Sequence, residues 1–538
     1  MSAAAEPPSF TGNVTGNRMA PRVTMRAAIG FNEEVSVASD RNDQDGISRR
    51  EFTSRMGAAA AGVVVAGDIF GPFAGAAPHT SSRILGANDK VTIAHIGIHS
   101  QGNSLKRGFA QLKNVEIKTL CDIDANLFPS RANDKNVLDK VPTFKPGFQQ
   151  DLRKVFDDKD IDAVVIAVPN HWHALASIWA LQAGKHVYVE KPASHTVLEG
   201  RLMTNAARAY SKIVQVGTMN RSRPAVINAI KFMQGGGIGK VYMARGLCFK
   251  PRLNIGQYPD GPMAATDKPF SFTVNGNGND GPYTAEYLSK VDYNLWIGPA
   301  PVKPFNRNRF HYNWHWQWDY GNGDTGNQGP HQFDIARWGL GKNEHPVKIS
   351  SMGGYFGEKP TAQETPDMQT ALFEYADGTI MEFGTRGEHT PDEGGVRIGN
   401  IFFGSKGWLW IDESGRRWQS YMGAVGSKNE KGPGSENADQ PAEAQGLTTT
   451  ENPHYQNFVD AIRAGDPKIL TCDILEGHMS STLPHLANIA YLVGDTILFD
   501  GKTETVKDNK KANELLTREY RKGFEIPKSF PVKETASR

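Results

Sequence analysis

Short runs of apolar, β-branched residues alternate with amphipathic stretches between residues 90 and 216. The apolar runs predict strands and the amphipathic stretches predict helices. Strands are predicted at 91–96, 115–120, 161–168, 186–189 and 213–216, and helices at 105–112, 148–156, 174–183 and 196–210. The run at 161–168 is apolar at nearly every position, as in strands buried on both faces of a parallel sheet. The alternation therefore predicts an α/β half built on a parallel sheet.

The pattern changes after residue 239 to longer strands that follow one another along the chain. They are predicted at 241–249, 347–356, 369–375, 379–384, 397–404 and 407–411, with turns at Ala376-Asp-Gly378 and Ser405-Lys-Gly407. Residues 423–453 are rich in Gly, Ser, Glu and Gln and predict a loop, and 455–464 and 479–492 predict helices. We expect an α+β half with a large, mostly antiparallel sheet.

The first 85 residues have the composition of a signal segment. A basic pair stands in Ser48-Arg49-Arg50-Glu51-Phe52, a weakly apolar run covers 56–67, and Ala74-Gly75-Ala76 follows. This order predicts a twin-arginine signal, export to the periplasm and the twin-arginine machinery as a partner. An alanine-rich helix with a chance Arg-Arg is the alternative, and the protein is then cytoplasmic. Met19 and Met25 are alternative start positions.

A glycine-containing turn follows the first predicted strand. Gly97 and Gly102 flank the start of a helix, and Asp122 ends the next strand 25 residues after Gly97. This is the order of a Rossmann dinucleotide-binding unit: strand, turn, helix, strand and a terminal acidic residue. An acidic residue at this place binds ribose hydroxyls and repels a 2′-phosphate, which favours NAD over NADP. His99 occupies the place of the usual middle glycine, so an ordinary βα turn remains the alternative.

Polar residues cluster at the ends of the later strands. Pro169, Asn170 and His173 follow one predicted strand, and Glu190 and Lys191 follow the next. The carboxyl ends of parallel strands are where open α/β sheets bind ligands. We therefore expect these five residues to contact the cofactor. Lys191 in particular would share a proton with a substrate hydroxyl, because burial lowers the pKa of an ammonium.

Three motifs together resemble one family. Asn-His-Trp-His at 170–173, Gly-Lys-His-Val-Tyr-Val-Glu-Lys-Pro at 184–192 and Val-Gly-Thr at 216–218 are similar to the Gfo/Idh/MocA oxidoreductases, the glucose–fructose oxidoreductase and inositol dehydrogenase family. The resemblance extends from about residue 90 to residue 501. It implies a catalytic Lys191, a cis peptide into the following proline, and a second domain whose sheet forms a dimer surface.

The same resemblance implies a proton-shuttling histidine four residues after an aspartate. His331 matches the histidine, but Asn327 stands where the aspartate normally is. An asparagine can position a hydroxyl by hydrogen bonding but cannot take a proton. Residues 1–85 are then the signal and linker, 88–220 the NAD-binding Rossmann domain, 221–505 the catalytic and substrate domain, and 506–538 a C-terminal tail.

Aromatic residues are interleaved with hydrogen-bonding residues at 306–320. Rings suit the C–H faces of sugars and fork-shaped side chains suit their hydroxyls, although each ring is equally compatible with a core position. The predicted substrate-binding residues are Arg309, His311, Trp314, Trp316 and Trp318. His311 and His315 have metal-ligand spacing on a helix, but no third ligand is evident, so we expect no metal.

Composition excludes several other classes of protein. The chain has 538 residues, a net charge of +2 and three scattered cysteines, which argues against a nucleic-acid binder or a disulfide scaffold. Its apolar runs are too short for stable membrane insertion. We expect an exported, oligomeric NAD-dependent enzyme that oxidises a secondary alcohol of a sugar, glycoside or cyclitol and holds NAD tightly. A redox-neutral glycoside-cleaving or epimerising enzyme and a non-catalytic sugar or dinucleotide sensor are the alternatives.

Overall fold

The computed structural model describes residues 90–268, 281–423, 426–436 and 453–530. These residues belong to one compact unit. The predicted twin-arginine signal lies outside the described residues. Of the helices in the described ranges, none is long and apolar enough to cross a membrane.

The N-terminal half is a six-stranded parallel sheet with helices around it. Its strands are β1 (Val91–Ile96), β2 (Val115–Cys121), β3 (Gly147–Gln149), β4 (Ala163–Ile166), β5 (His186–Val189) and β6 (Val214–Val216). The helices are α1 (Ser100–Ala110), α2 (Phe128–Ala132), α3 (Lys135–Leu138), α4 (Leu152–Asp157), α5 (Asn170–Gln182) and α6 (Val197–Tyr210). The strand order β3-β2-β1-β4-β5-β6 reverses direction between β1 and β4, which is the topological switch point of a Rossmann sheet.

One helix prediction in this half is wrong. Residues 147–149 form β3, which pairs with Thr119–Cys121 of β2, and the helix begins only at Leu152. The Asp151 side chain accepts a hydrogen bond from the Arg153 backbone at 2.9 Å and caps this helix. Sheet pairing and the cap therefore divide a stretch whose apolar spacing alone looked helical.

The second half contains a ten-stranded sheet. Its strands are β7 (Val241–Cys248), β8 (Lys348–Gly354), β9 (Met368–Glu374), β10 (Ile380–Arg386), β11 (Ile398–Gly404), β12 (Gly407–Asp412), β13 (Trp418–Met422), β14 (Glu430–Gly434), β15 (Ile497–Asp500) and β16 (Thr505–Val506). The pair β7–β10 is parallel and the other strand pairs are antiparallel, so the predicted mostly antiparallel sheet is confirmed. The strand β14 falls inside the segment predicted to be a loop.

The helices of the second half pack partly on this sheet and partly, as the helix Pro453–Ala464 does, on the Rossmann half, and some of them carry part of the site. They are α7 (Pro224–Gln234), α8 (Ala285–Leu288), α9 (Tyr293–Ile297), α10 (Gly323–Asn327), α11 (Gly329–Gly339), α12 (Pro453–Ala464), α13 (Ile474–Val493) and α14 (Lys510–Glu514). Phe333 of α11 packs on Phe383 of β10 with ring centroids 4.3 Å apart. Asp334, one residue later, is buried and accepts hydrogen bonds from Arg221 Nε at 2.8 and 2.9 Å and from Ser480 Oγ at 2.7 Å. These contacts fix α11, and with it the position of His331.

The C-terminal segment returns to the first half of the chain. Arg518 Nε donates to Glu199 Oε1 of α6 at 2.8 Å, and Tyr520 Oη donates to the same oxygen at 3.0 Å. Within the predicted C-terminal tail, Val506, Ala512 and Leu516 pack in the core of the second half, whereas Tyr520, Phe524 and Ile526 pack against the Rossmann half.

Candidate active site

The turn between β1 and α1 is built for close approach. Gly97 has φ +83°, and a Cβ there would lie 2.5 Å from the carbonyl oxygen of Ala167. A Cβ on Gly102 would lie 1.9 Å from the carbonyl oxygen of Gly97. Both positions therefore require glycine, for the reasons that a dinucleotide-binding turn does. The helix α1 begins at Ser100 without a side-chain cap on its N-terminus, which leaves its first amides to an anionic ligand.

The acidic residue at the end of β2 is held by backbone amides. Asp122 accepts hydrogen bonds from the Ile98 amide at 2.8 Å and from the Asp124 amide at 3.0 Å. Burial raises the pKa of its carboxyl group. The carboxylate ties the glycine turn to the end of β2, and its remaining lone pairs face the cavity, where ribose hydroxyls can donate to them.

The ends of β4 and β5 are joined by a histidine of α5. The ring nitrogens of His173 lie 2.6 Å from the Pro192 carbonyl oxygen and 2.8 Å from the Val168 carbonyl oxygen. The peptide bond between Lys191 and Pro192 is cis, as the resemblance implied. His173 therefore acts mainly by positioning the backbone that follows Lys191.

The other two strand-end residues are also held in place. Glu190 is buried and accepts a hydrogen bond from Gln101 Nε2 of α1 at 3.1 Å, so it connects β5 to the glycine turn. Burial raises its carboxyl pKa. Asn170 Nδ2 donates to Asn322 Oδ1 at 3.1 Å and thereby joins α5 to the segment that precedes α10.

Lys191 meets the C-terminal half through Asn327. Its ammonium lies 2.8 Å from the Asn327 backbone oxygen and 3.3 Å from the side-chain Oδ1. Burial lowers the Lys191 pKa, Glu190 and Asp324 raise it, and Lys250 and Arg252 lower it further. A lysine in these surroundings gives up a proton more readily than one in water.

His331 stands on the first turn of α11, four residues after Asn327. Its Nδ1 is buried and has no hydrogen-bond partner among the described residues. Burial, followed by the charge of Lys191, lowers its pKa well below the ordinary histidine value. His331 is therefore neutral at pH 7 and is free to accept a proton.

A buried ion pair lies next to this centre. Arg252 donates to Asp324 of α10 through Nε at 2.8 Å and through a terminal nitrogen at 2.5 Å. The guanidinium also lies 5.0 Å from the ring centroid of Trp316. Because Trp316 is buried against this pair, the structure gives it a supporting place and not a place on the cavity wall.

One cavity of about 650 Å³ joins the glycine turn to Lys191 and His331. It brings together most of the predicted site residues, namely Gly97, His99, Gly102, Asp122, Pro169, Asn170, His173, Glu190, Lys191, His311, Trp314, Asn327 and His331. Arg309, Trp316 and Trp318 do not line it. Arg309 instead donates to Asp260 Oδ1 at 3.2 Å and to the Pro304 carbonyl oxygen at 2.7 Å.

Several residues that the sequence did not single out also line the cavity. They include Gln101, Trp172, Met219, Tyr312, His315 and Gln328. Gln101 and Gln328 each adjoin a motif that the sequence did identify, so extending those motifs by one or two residues would have found them. Met219 follows the Val-Gly-Thr motif directly. Trp172 lies within the Asn-His-Trp-His motif, but its indole Nε1 donates to the Leu295 carbonyl oxygen at 3.0 Å, and this long-range partner leaves no local signal in the sequence.

Family models match both halves of the chain. Residues 93–218 match the model described as the oxidoreductase family, NAD-binding Rossmann fold, of Gfo/Idh/MocA type. Residues 264–393 match the oxidoreductase family, C-terminal alpha/beta domain. The predicted NAD-binding Rossmann domain and the two-part fold are thereby confirmed.

Two curated relatives illustrate the similarity in sequence. A glycosyl hydrolase family 109 protein of Shewanella baltica is 31% identical over 199 residues, which is 34% of this chain and 43% of the relative. A levoglucosan dehydrogenase of Pseudarthrobacter phenanthrenivorans is 41% identical over 96 residues, 18% of this chain and 25% of the relative. The chain thus spans less than half the length of the curated relatives it matches.

Solved structures share the fold over a larger part of the chain. Levoglucosan dehydrogenase in complex with NADH and levoglucosan has a TM-score of 0.54 at 18% identity, covering 76% of this chain and 99% of that one. An aldose-aldose oxidoreductase from Caulobacter crescentus in complex with glycerol has a TM-score of 0.53 at 16% identity, covering 76% and 100%. At this identity the likeness concerns the fold.

Proposed function

We propose that this chain, whose two halves match the Gfo/Idh/MocA oxidoreductases, transfers hydride between a nicotinamide cofactor and a secondary alcohol carbon of a sugar, glycoside or cyclitol. The observation that carries the proposal is the single cavity, which has the glycine turn at one end and Lys191, Asn327 and His331 at the other. Such a cavity can hold a dinucleotide at the glycine turn and a substrate hydroxyl beside Lys191 and His331.

The site fits a dinucleotide by the chemistry of its donors. The uncapped N-terminus of α1 suits a diphosphate, and Asp122 suits a ribose diol. The Asp122 carboxylate also opposes a 2′-phosphate, so the proposed cofactor is NAD rather than NADP. Bound NAD supplies a hydride acceptor beside the substrate carbon.

Lys191 and His331 manage the proton of the substrate hydroxyl. Neutral His331, which lines the cavity, accepts that proton as the alcohol is oxidised. Charged Lys191 donates a hydrogen bond to the hydroxyl oxygen and stabilises the negative charge that develops on it. Asn327 holds the lysine ammonium through its backbone oxygen and takes no proton itself.

The cavity wall is suited to a carbohydrate. Tyr312 and Trp314 present rings close to His315 and Gln328, which supply hydrogen-bonding groups. Rings cover the apolar faces of a sugar and polar side chains select its hydroxyls. A levoglucosan dehydrogenase among the relatives and structural neighbours supports this class of substrate.

A redox-neutral variant of this chemistry is the second candidate. It is favoured by the similarity to glycosyl hydrolase family 109 proteins, which covers 34% of this chain. In that case the hydride is returned to the sugar after a neighbouring glycosidic bond has been cleaved, and no net oxidation results. The proposed export through the twin-arginine route agrees with either version, because a cofactor that is held tightly and reoxidised in place needs no external supply of NAD.

A pair of lysine variants tests the proposal. Lys191→Ala should lower kcat/KM by about 100- to 10,000-fold on a responsive sugar or glycoside, the range for loss of a general acid or base. Lys145→Ala is the matched control, because Lys145 is exposed and is likewise followed by a proline. Activity is followed both as NADH formation and as aglycone release, which separates net oxidation from the redox-neutral cycle. Unchanged turnover in Lys191→Ala would remove the catalytic role of the lysine.

A further inference from the structure

His311 lies at the cofactor end of the cavity and not at the sugar end. Its Nε2 is 2.9 Å from Asp124 Oδ2, two residues beyond Asp122 at the end of β2. Lys191 follows β5, which is three strands away in the order β2-β1-β4-β5. Neighbouring strands are about 4.8 Å apart, so the two ends of the cavity are separated by roughly 14 Å across the sheet. A histidine bonded to Asp124 is therefore badly placed to bind a sugar at Lys191.

The imidazole of His311 is stacked on that of His99. Their ring centroids lie 4.8 Å apart and their planes differ by 16°. His99 is the residue immediately before α1, in the place where the usual motif has its middle glycine. The stack therefore joins the glycine turn to a segment that belongs to the C-terminal half of the chain.

The second ring of the stack is held by a chain of hydrogen bonds. Tyr287 Oη donates to Asp124 Oδ2 at 2.5 Å, and Asn126 donates to Oδ1 at 2.8 Å through its side chain. The His311 amide donates to Tyr283 Oη at 3.2 Å. Its side chain is only 8% exposed and Asp124 is fully buried. These hydrogen bonds fix the His311 ring beside the N-terminus of α1, where a diphosphate would bind.

We propose that His311 and His99 form a two-sided clamp that closes over the diphosphate of the bound dinucleotide and slows its release. The inference rests on the proposed function, since it assigns residues to the same cofactor. One ring comes from the Rossmann turn and the other from the segment that crosses over it. The cofactor can leave only after the stack separates and His311 moves away from Asp124.

A proton enters the clamp when the diphosphate binds. The charged and titratable groups that face the pair are Asp122, Asp124, Arg131 and Tyr287. In their presence burial, followed by the proximity of His311, lowers the His99 pKa to about 3, so this ring is neutral without ligand. Two negative charges on the diphosphate raise the His99 pKa from this value. The cofactor is then held by a charge-assisted hydrogen bond.

The release rate of NAD tests the clamp directly. We expect His311→Ala to speed NAD dissociation about 10- to 100-fold, the value of a hydrogen bond to a charged group. His311→Gln, which keeps a polar side chain but removes the ring that stacks on His99, should also release NAD faster. His389→Ala is the matched control, because His389 is exposed and does not line the cavity. Thermal unfolding of each variant without cofactor shows that the fold is retained.

Calorimetry supplies the second readout. NAD binding measured in buffers of different ionisation enthalpy should show uptake of up to one proton by the unsubstituted protein at pH 7 and less by His311→Gln. Unchanged release and unchanged proton uptake in both His311 variants would overturn the clamp while leaving the oxidoreductase intact. Weaker sugar binding with unchanged NAD release would overturn the clamp as well and would assign His311 to substrate binding. A protein that binds no NAD at all would overturn the proposed function together with the clamp.

Discussion

The ion pair between Arg252 and Asp324 allows a quantitative test of how the site is built. Its side chains are only 11% and 5% exposed, so neither charge is well solvated. Because an arginine guanidinium does not lose its proton in proteins, Arg252 remains charged even without the carboxylate. Asp324→Asn therefore leaves a buried cation without its counter-charge. Removing one partner of a buried pair costs about 3–5 kcal/mol, and the retained amide oxygen places our expectation near 3 kcal/mol.

Urea denaturation gives the free energy of unfolding for this comparison. The matched control is Glu374→Gln at the pair between Lys348 and Glu374, whose side chains are 51% and 44% exposed. Breaking an exposed pair should cost less than about 1 kcal/mol. A loss below about 1 kcal/mol in Asp324→Asn would refute the reasoning, because it would mean that the Arg252 pair is solvated as well.

The same variant has a consequence for catalysis. Asp324 raises the pKa of the Lys191 ammonium, so its removal lowers that pKa further. The alkaline limb of the kcat/KM profile, where Lys191 loses its proton, should then move to lower pH. A profile that stays in place while stability falls would show that Asp324 supports the fold without influencing Lys191.

Three further predictions concern titration. Because the pKa of His331 is well below the ordinary histidine value, kcat/KM should not fall as the pH is lowered through 6.5. A fall in kcat/KM near pH 6.5 that disappears in His331→Asn would contradict the lowered pKa. Asn327→Asp places a carboxylate beside Lys191 and should raise the pKa of the lysine. The alkaline limb of the kcat/KM profile should then move to higher pH, and a limb that does not move would contradict this prediction. Stability should fall in acid, because several buried histidines have a pKa near 3 in the folded state and about 6.5 in the unfolded chain. Below pH 6.5 the unfolded chain therefore binds more protons than the folded one. Between pH 7.5 and 5.5 each such histidine lowers the free energy of unfolding by about 1.4 kcal/mol. These histidines are His95, His99, His171, His186, His315 and His485, and a urea midpoint that is constant over this range would contradict the prediction.

The parallel half of the fold was predictable because its strands are apolar on both faces. The continuous apolar run of β4 and the polar residues after β4 and β5 indicate the ligand edge of the sheet from the sequence alone. Lys191 and His331 were found by motif, and the cavity joins them. Local pattern was insufficient where pairing decides structure, as at β3, whose three residues become a strand only because β2 lies beside them.

The aromatic segment shows the limit of sequence reasoning most clearly. Residue type suggested five sugar ligands there, but type alone does not tell a cavity wall from the layer behind it. The Trp316 ring packs against the Arg252 guanidinium, and Arg309 donates hydrogen bonds to Asp260 and to the Pro304 carbonyl oxygen. His311 is held by Asp124, which is 187 residues away in sequence, and such a long-range partner leaves no local signal.

The central claim is that this protein is an oxidoreductase that holds NAD in the cavity between the glycine turn and Lys191. The most direct test is to purify the protein without added cofactor, release any bound cofactor by denaturation and identify it by mass. We expect close to one NAD or NADH per chain. Protein that is empty but binds added NAD would preserve the oxidoreductase and remove the tight retention. Protein that is empty and also fails to bind added NAD would contradict the account and favour a non-catalytic sugar sensor.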